Sequence, residues 1–391
     1  MRKILLAALS GFLLHGNYSQ AQEYSYNVKF TVSKKNFVDS IPIEFHNGRI
    51  ILKAFSGDRE YRFLLDTGSS QGVIYENSMF NYVRKRGTIT SHDANGTSHK
   101  IMTVEYPRFR IGSLVIEGYC GSLLPRQSNS DSHDAIIGFD IINKGLLAKI
   151  DIASGMLILT DNRRFFDREV GYVMKYRLLR WVPNVKLSPF PNCTDEARFD
   201  TGSRRLYEMS NRSCTTFSKA IYEFGSQIEG ITHGSRTIAS FGKEDHAQMA
   251  FLHLDRVMMG GFSFTDYHTI TTQGNSRIGS ELLNYGSVII NPFRKEITFC
   301  PYKDEGYYEV CNKQMDIAFV PMNGKASVGI IWEGSRHFRN GFRQGDVILS
   351  INGAPIDTFD LFLSYPFVEG YTYTFMVRGA DGLIRTVESE R

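Results

Sequence analysis

Long apolar runs are what this chain most lacks. Beyond its N-terminus no stretch reaches roughly 18 apolar residues, the length a bilayer-spanning helix needs, so no integral membrane segment is expected in the body of the chain. An excess of charge of one sign is missing too. The formal net charge is +4, and removing Arg2 and Lys3 lowers it to +2. A balance this even gives neither nucleic acid nor anionic lipid a field to follow. The densest basic cluster, Arg84-Lys85-Arg86, reads as a solvated turn. Ligand spacing is absent among the 10 histidines: His92 and His99, like His246 and His253, stand seven apart in polar or irregular context. Neither a metal nor any other cofactor is therefore expected.

Cysteine is sparse: Cys120, Cys193, Cys214, Cys300 and Cys311 are the 5 in the chain. None follows the N-terminal apolar run, so no lipoprotein anchor is expected. That run, residues 4–14, comes after Arg2-Lys3 and before a polar stretch ending Ser19-Gln20-Ala21. This is the pattern of a secretory signal peptide over residues 1–21, too short to span a bilayer, with cleavage after Ala21 and a periplasmic or secreted destination. An exported chain can form disulfides, and the spacings suggest Cys300–Cys311 and Cys193–Cys214. The odd count leaves one cysteine over, and five free thiols is the competing reading.

What the chain does have is a repeat. Asp66-Thr67-Gly68 recurs as Asp200-Thr201-Gly202. Chance alone puts one such tripeptide in roughly one chain of this length in ten, so the surroundings have to decide. After the first copy comes Ile137-Gly138-Phe139-Asp140-Ile141-Ile142-Asn143-Lys144-Gly145, and after the second Ile278-Gly279-Ser280-Glu281-Leu282-Leu283-Asn284-Tyr285-Gly286. Both read apolar-Gly-x-acid-apolar-apolar-Asn-x-Gly. The Asp-to-Gly distance is 72 residues in one copy and 79 in the other. An internal duplication of this kind presents one carboxylate per copy.

Chemistry explains why two half-sites would be kept together. Two carboxyl groups about 3 Å apart cannot both ionise and so share one proton. The ionised member can take a proton from a bound water while the protonated member hydrogen-bonds the carbonyl that this water attacks. Thr67 and Thr201 can brace the pair by donating to backbone across a local twofold. Gly68 and Gly202 leave room for a close backbone approach, and Ser69 and Ser203 are candidates for further hydrogen bonds to the carboxylates.

Phe63-Leu64-Leu65-Asp66-Thr67-Gly68-Ser69-Ser70, with Ile136-Ile137-Gly138 after it, resembles the active-site signature of pepsin-like and retropepsin-like aspartic peptidases. The second copy, Ala197-Arg198-Phe199-Asp200-Thr201-Gly202-Ser203, departs from it at Arg198, where that family usually has an apolar residue. The 134 residues between the aspartates are fewer than in pepsin itself, so the chain looks more like the bacterial retropepsin-like peptidases. The resemblance covers roughly residues 40–300. It implies catalytic roles for Asp66 and Asp200 and a fold of two pseudo-twofold-related β-barrel lobes.

The chain's patterning agrees with a mainly β reading. Residues 49–55 and 61–65 flank a Ser-Gly-Asp turn and form a hairpin that ends at Asp66. Residues 88–105 centre on Asp93, Ala94, Asn95 and Gly96, and Asn-Gly between Thr-rich arms signals another hairpin. In the family a hairpin at this place is the flap over bound peptide; an ordinary surface hairpin is the plainer account. Residues 109–119 and 257–267 match as paired strands around a Gly turn. Short helices are expected at 140–143 and 281–284, followed by hairpins over 146–160 and 287–299. The resulting division is an N-terminal lobe over residues 22–165, a C-terminal lobe over 166–300 and a polar linker over 301–313.

Residues 314–391 carry Asn340-Gly341-Phe342-Arg343-Gln344-Gly345-Asp346-Val347-Ile348-Leu349-Ser350-Ile351-Asn352-Gly353. This is similar to the core signature of bacterial PDZ domains, which capture an extended peptide by adding it to a sheet edge. The carboxylate-holding loop is not recognisable: Asp316-Ile317-Ala318-Phe319-Val320 stands about where it belongs, without the glycines. Two readings of function follow. One is an exported aspartic endopeptidase acting on peptide or protein substrates, with a PDZ-like domain that assists binding or regulation. The other is a catalytically silent, peptide-binding adaptor of the cell envelope that retains the bilobal fold.

Overall fold

The computed structural model describes residues 29–76, 83–92, 98–125, 133–234, 238–239, 242–243, 247–303 and 305–390. The expected signal peptide lies outside them. Strands dominate throughout, and the fold is mainly β, as the patterning implied.

In the N-terminal half, strands Val38–His46, Arg49–Ser56 and Arg59–Leu65 run as an antiparallel meander. Alternation drives it: Tyr61, Phe63 and Leu65 point into the core while Glu60 and Arg62 face away. Ala135–Ile137 then returns parallel to the Arg59–Leu65 strand, pairing Ile137 with Leu65. The second half repeats this. Asp195–Phe199 ends at Asp200, and Arg277–Ile278 lies parallel beside it, pairing Ile278 with Phe199. The backbone amide of Asp66 donates to the Ile137 carbonyl at 3.0 Å, and that of Asp200 to Ile278 at 2.8 Å.

The glycines after these returning strands are fixed by space. A Cβ on Gly138 would lie 2.6 Å from backbone atoms of Gln71, and one on Gly279 would lie 2.4 Å from the Arg205 carbonyl oxygen. Each returning strand thus crosses over the loop that follows its aspartate, and only glycine lets the two backbones touch. The acid two residues later closes the same loop. The amide of Gly72 faces the Asp140 carboxyl and favours its charged form, and Glu281 accepts from the amide of Leu206 at 2.7 Å. Gly72 and Leu206 both stand six residues past their aspartate. The repeated Gly-x-acid is therefore a clasp on the aspartate loop in each half.

The halves meet in one continuous sheet. Leu147–Asp151 pairs with Gly286–Asn291 across the junction. Met156–Thr160 and Val38–His46 extend it on one side, Glu296–Pro301 and Tyr172–Leu179 on the other. One apolar cluster, from Phe30 to Phe299, runs through both halves. The expected helices appear as Asp140–Asn143 and as a 3-10 turn, Ser280–Asn284. A helix at Asn211–Ala220, capped by the Ser210 hydroxyl, was not anticipated from the sequence. No helix among the described residues is long and apolar enough to cross a membrane.

The expected disulfides are not formed, and all five thiols are free. Cys300 is buried in a small cluster with Leu147, Phe166 and Ile289, whereas Cys311 is exposed beside Asp266. The two face different surroundings, so sequence proximity did not bring them together.

The segment expected as a plain linker is partly structured. Tyr307–Glu309 adds a parallel strand to Phe262–Ile270, within a sheet that also holds Ile228–Gly234 and Ala247–Met259. Beyond it, Ile317–Met322, Lys325–Ile331, Val347–Ile351, Thr372–Arg378 and Ile384–Glu390 form a separate sheet with its own core around Phe342, Ile348, Phe375 and Val377. Asp346, fully buried, accepts both the Arg385 guanidinium and the Arg343 amide, which accounts for Gly-Asp at the start of the Val347–Ile351 strand. This unit is docked rather than tethered. Ile330 and Trp332 pack on Met249, Phe251 and Ile270, and the Thr232 hydroxyl donates to the Ile331 carbonyl at 2.7 Å.

Candidate active site

Asp66 and Asp200 each stand at the end of a core strand, and the two ends converge. Their carboxyl groups are hydrogen-bonded to one another. Thr67 and Thr201, both fully buried, lock the approach. The Thr67 amide donates to the Thr201 hydroxyl and the Thr201 amide to the Thr67 hydroxyl, both at 3.0 Å. Each hydroxyl then donates onward across the junction, Thr67 to the Phe199 carbonyl at 2.9 Å and Thr201 to the Leu65 carbonyl at 2.8 Å. Four reciprocal bonds in a buried, low-dielectric seam hold two strands that share no ladder.

The glycines complete the symmetry. The Gly68 amide donates to Asp66 Oδ1 at 2.9 Å, and the Gly202 amide to Asp200 Oδ1 at 3.0 Å. A Cβ on Gly68 would lie 2.2 Å from Asp200 Cγ, and one on Gly202 would lie 2.6 Å from Asp66 Oδ1. Any side chain at either position would force the carboxyls apart.

The serines are less alike. Ser203 supports Asp200 through its amide, at 3.2 Å from Oδ1, while its hydroxyl turns to Glu208 at 3.4 Å. The Ser69 hydroxyl donates to the Gln71 carbonyl at 2.7 Å, so its bond bears on the loop. The hairpin expected as a flap is present as strands Arg84–His92 and Ser98–Glu105, tied by an Arg86–Glu105 ion pair. Its tip, Asp93, Ala94, Asn95 and Gly96, lies outside the described residues.

The electrostatics follow from this crowding. Burial pushes the Asp66 carboxyl up to about 7, and the neighbouring charge of Asp200 adds to the rise. Arg49 and the Gly68 amide work against it. Two arginines flank the pair in a reciprocal way that the sequence did not reveal. Arg49 of the first half donates to the Gly202 carbonyl at 2.5 Å, and Arg198 of the second half reaches the Gly68 carbonyl at 3.4 Å. Arg198 stands in the second copy where the first has the apolar Leu64. Burial and the neighbouring Arg277 lower its pKa, while the charge of Asp200 holds it up. Arg277 is neutralised by Glu208 at 2.8 Å. Of the other basic residues near the site, Arg205 also pairs with Glu208, at 3.5 Å.

No family model matches this chain, and no curated protein matches it. Among solved structures it is similar to the aspartic proteinase from Irpex lacteus, at 12% identity, with 69% of this chain and 99% of that chain covered and a TM-score of 0.43. The duplicated strand–loop–strand units, the shared sheet and the threonine seam make this a mainly β protein of two related halves.

Proposed function

We propose that the chain is an aspartic endopeptidase whose catalytic pair is Asp66 and Asp200. The observation that carries this reading is the carboxyl–carboxyl hydrogen bond held by the threonine seam, with Asp66 raised to about 7 so that one proton stays on the pair. The ionised carboxylate removes one proton from a water placed between the two groups. The water oxygen bonds to the carbonyl carbon of the peptide while the protonated carboxyl donates its proton to the carbonyl oxygen. The tetrahedral diol then collapses. The C–N bond breaks, the nitrogen leaves with the proton held by the first carboxylate, and a hydroxyl proton returns to the pair.

Export through residues 1–21, and a PDZ-like role for residues 314–391 in presenting peptide or protein substrates, belong to the same proposal and rest on the sequence patterns. The test is cleavage of an unbiased peptide library by the parent, Asp66→Asn and Asp200→Asn proteins at several pH values. Cleavage abolished in both variants supports the reading. A parent with no activity at any pH, which still binds peptides, selects the silent adaptor instead.

A further inference from the structure

The four-stranded sheet that includes Ile228–Gly234, Ala247–Met259 and Phe262–Ile270 carries a cluster that the peptidase reading does not use. His253 and His268 face each other in register on Ala247–Met259 and Phe262–Ile270. Their rings stack with centroids 4.1 Å apart and planes 17° apart. Glu229, on the neighbouring Ile228–Gly234 strand, places Oε2 3.0 Å from His268 Nδ1. One donor atom from each of the three lies within 4.8 Å of the others.

What surrounds these donors is arranged as a metal's outer shell is. His253 Nε2 lies 2.6 Å from Asp266 Oδ1, and the carboxylate favours the tautomer protonated at Nε2, with its lone pair on Nδ1. Gln314 donates to the second oxygen of Glu229 at 2.7 Å, which fixes the carboxylate. Asn312 grips the His268 backbone at both its amide and its carbonyl, each at 2.7 Å. The Glu229 and His268 side chains are 13% and 14% exposed and His253 is 37% exposed, so the cluster is half-sheltered with an open approach on one side.

We propose that Glu229, His253 and His268 form a binding site for a divalent cation of the zinc class. Two imidazoles and one carboxylate suit zinc and its late first-row neighbours, whereas calcium and magnesium want an all-oxygen set. Three protein ligands leave a fourth position for water. On binding, one ring tilts out of the stack so that both in-plane lone pairs converge, the proton between His268 Nδ1 and Glu229 leaves or passes to Nε2, and the cation takes its place. Gln314 and Asn312 belong to the segment that leads into the docked C-terminal sheet, so the cation pins that segment to the Ile228–Gly234 strand. Its effect is on the junction between the two units and does not depend on whether the Asp66–Asp200 pair cleaves peptides.

The experiment uses the full chain stripped with a chelator and titrated calorimetrically with zinc, cobalt and calcium, with melting followed in parallel. Saturable one-to-one zinc binding, a zinc-dependent rise in Tm, and a loss of affinity of about 10–100-fold in the Gln314→Ala variant support the site. The His253→Ala and Glu229→Gln variants, checked for folding by circular dichroism, lose the zinc-dependent rise. No saturable zinc binding overturns the proposal, as does equal affinity in folded His253→Ala protein or calcium binding as tight as zinc. Cobalt reports which donors are used. A thiolate-to-cobalt absorption band that vanishes in Cys311→Ser moves the site to the adjacent Asp266, Glu309 and Cys311 group and overturns the assignment.

Discussion

Replacing Asp66 by Asn separates two consequences of the same geometry, one on activity and one on stability. In the folded chain Asp66 holds its proton up to about pH 7, against 3.8 when unperturbed. The native state therefore binds more protons than the unfolded chain between those values, and stability falls as pH rises through that window. A shift of about three units at roughly 1.4 kcal/mol each sets a ceiling of about 4 kcal/mol. The full value is not expected, because part of the rise comes from the charge of Asp200. Asparagine never ionises, fits the same space and escapes this penalty. At roughly 2 °C per kcal/mol for a unit of this size, Asp66→Asn should melt above the parent at alkaline pH by a few degrees, less than about 8 °C. The two should melt together near pH 4 (about the unperturbed value). The same variant should show no peptide cleavage. Thermal melts across the pH range, together with a cleavage assay, test both halves. Parallel melting curves at every pH would refute the burial argument, and surviving cleavage would refute the catalytic pair.

Further outcomes follow from the same geometry. Asp200→Asn should also abolish cleavage, and the double variant should be little worse than either single one, because the carboxyls act as a unit; kinetic constants of all three decide this. Arg198→Leu removes a cation that interacts with both carboxyls of the pair, so the alkaline limb of the kcat/KM profile should move upward, by up to about one pH unit, and a downward shift would contradict it. Asp140→Ala leaves the Tyr119 hydroxyl and the Ile141 amide without their acceptor. It should lower stability by about 2–4 kcal/mol, readable by urea denaturation. Truncation after residue 305 strips the cover from Met249, Phe251 and Ile270, each fully buried and packed with Ile330. The shortened chain should aggregate or melt earlier, and one that stays monomeric with unchanged Tm would show that docking contributes little.

The repeat was legible because each half folds by the same local rule. An apolar strand must end at an acid, a glycine must let a second backbone cross, and a further acid must clasp the loop. Asp66, Asp200, Gly138 and Gly279 are therefore visible as spacing in one dimension. The mainly β character was legible too, since residues alternate along strands that bury one face. Arg198 was visible only as an exception, and Arg49 not at all. Their relation to the site comes from a crossing between halves, and no local pattern encodes it.

The chain's order thus determined the two half-sites, and the tertiary structure decided what they become together. The threonine seam exists only when the strand ends meet, because each hydroxyl is satisfied by backbone more than 130 residues away. The cysteines show the reverse case, where nearness in sequence suggested bridges and all five thiols are free. His253 and His268 are silent as a spacing motif because they stand on different strands. Register alone sets them face to face, and the neighbouring strand supplies Glu229. Local sequence fixes which groups a strand presents and to which face. Only the pairing of strands fixes which groups meet, since the free energy that selects a register comes from the buried faces of the whole sheet.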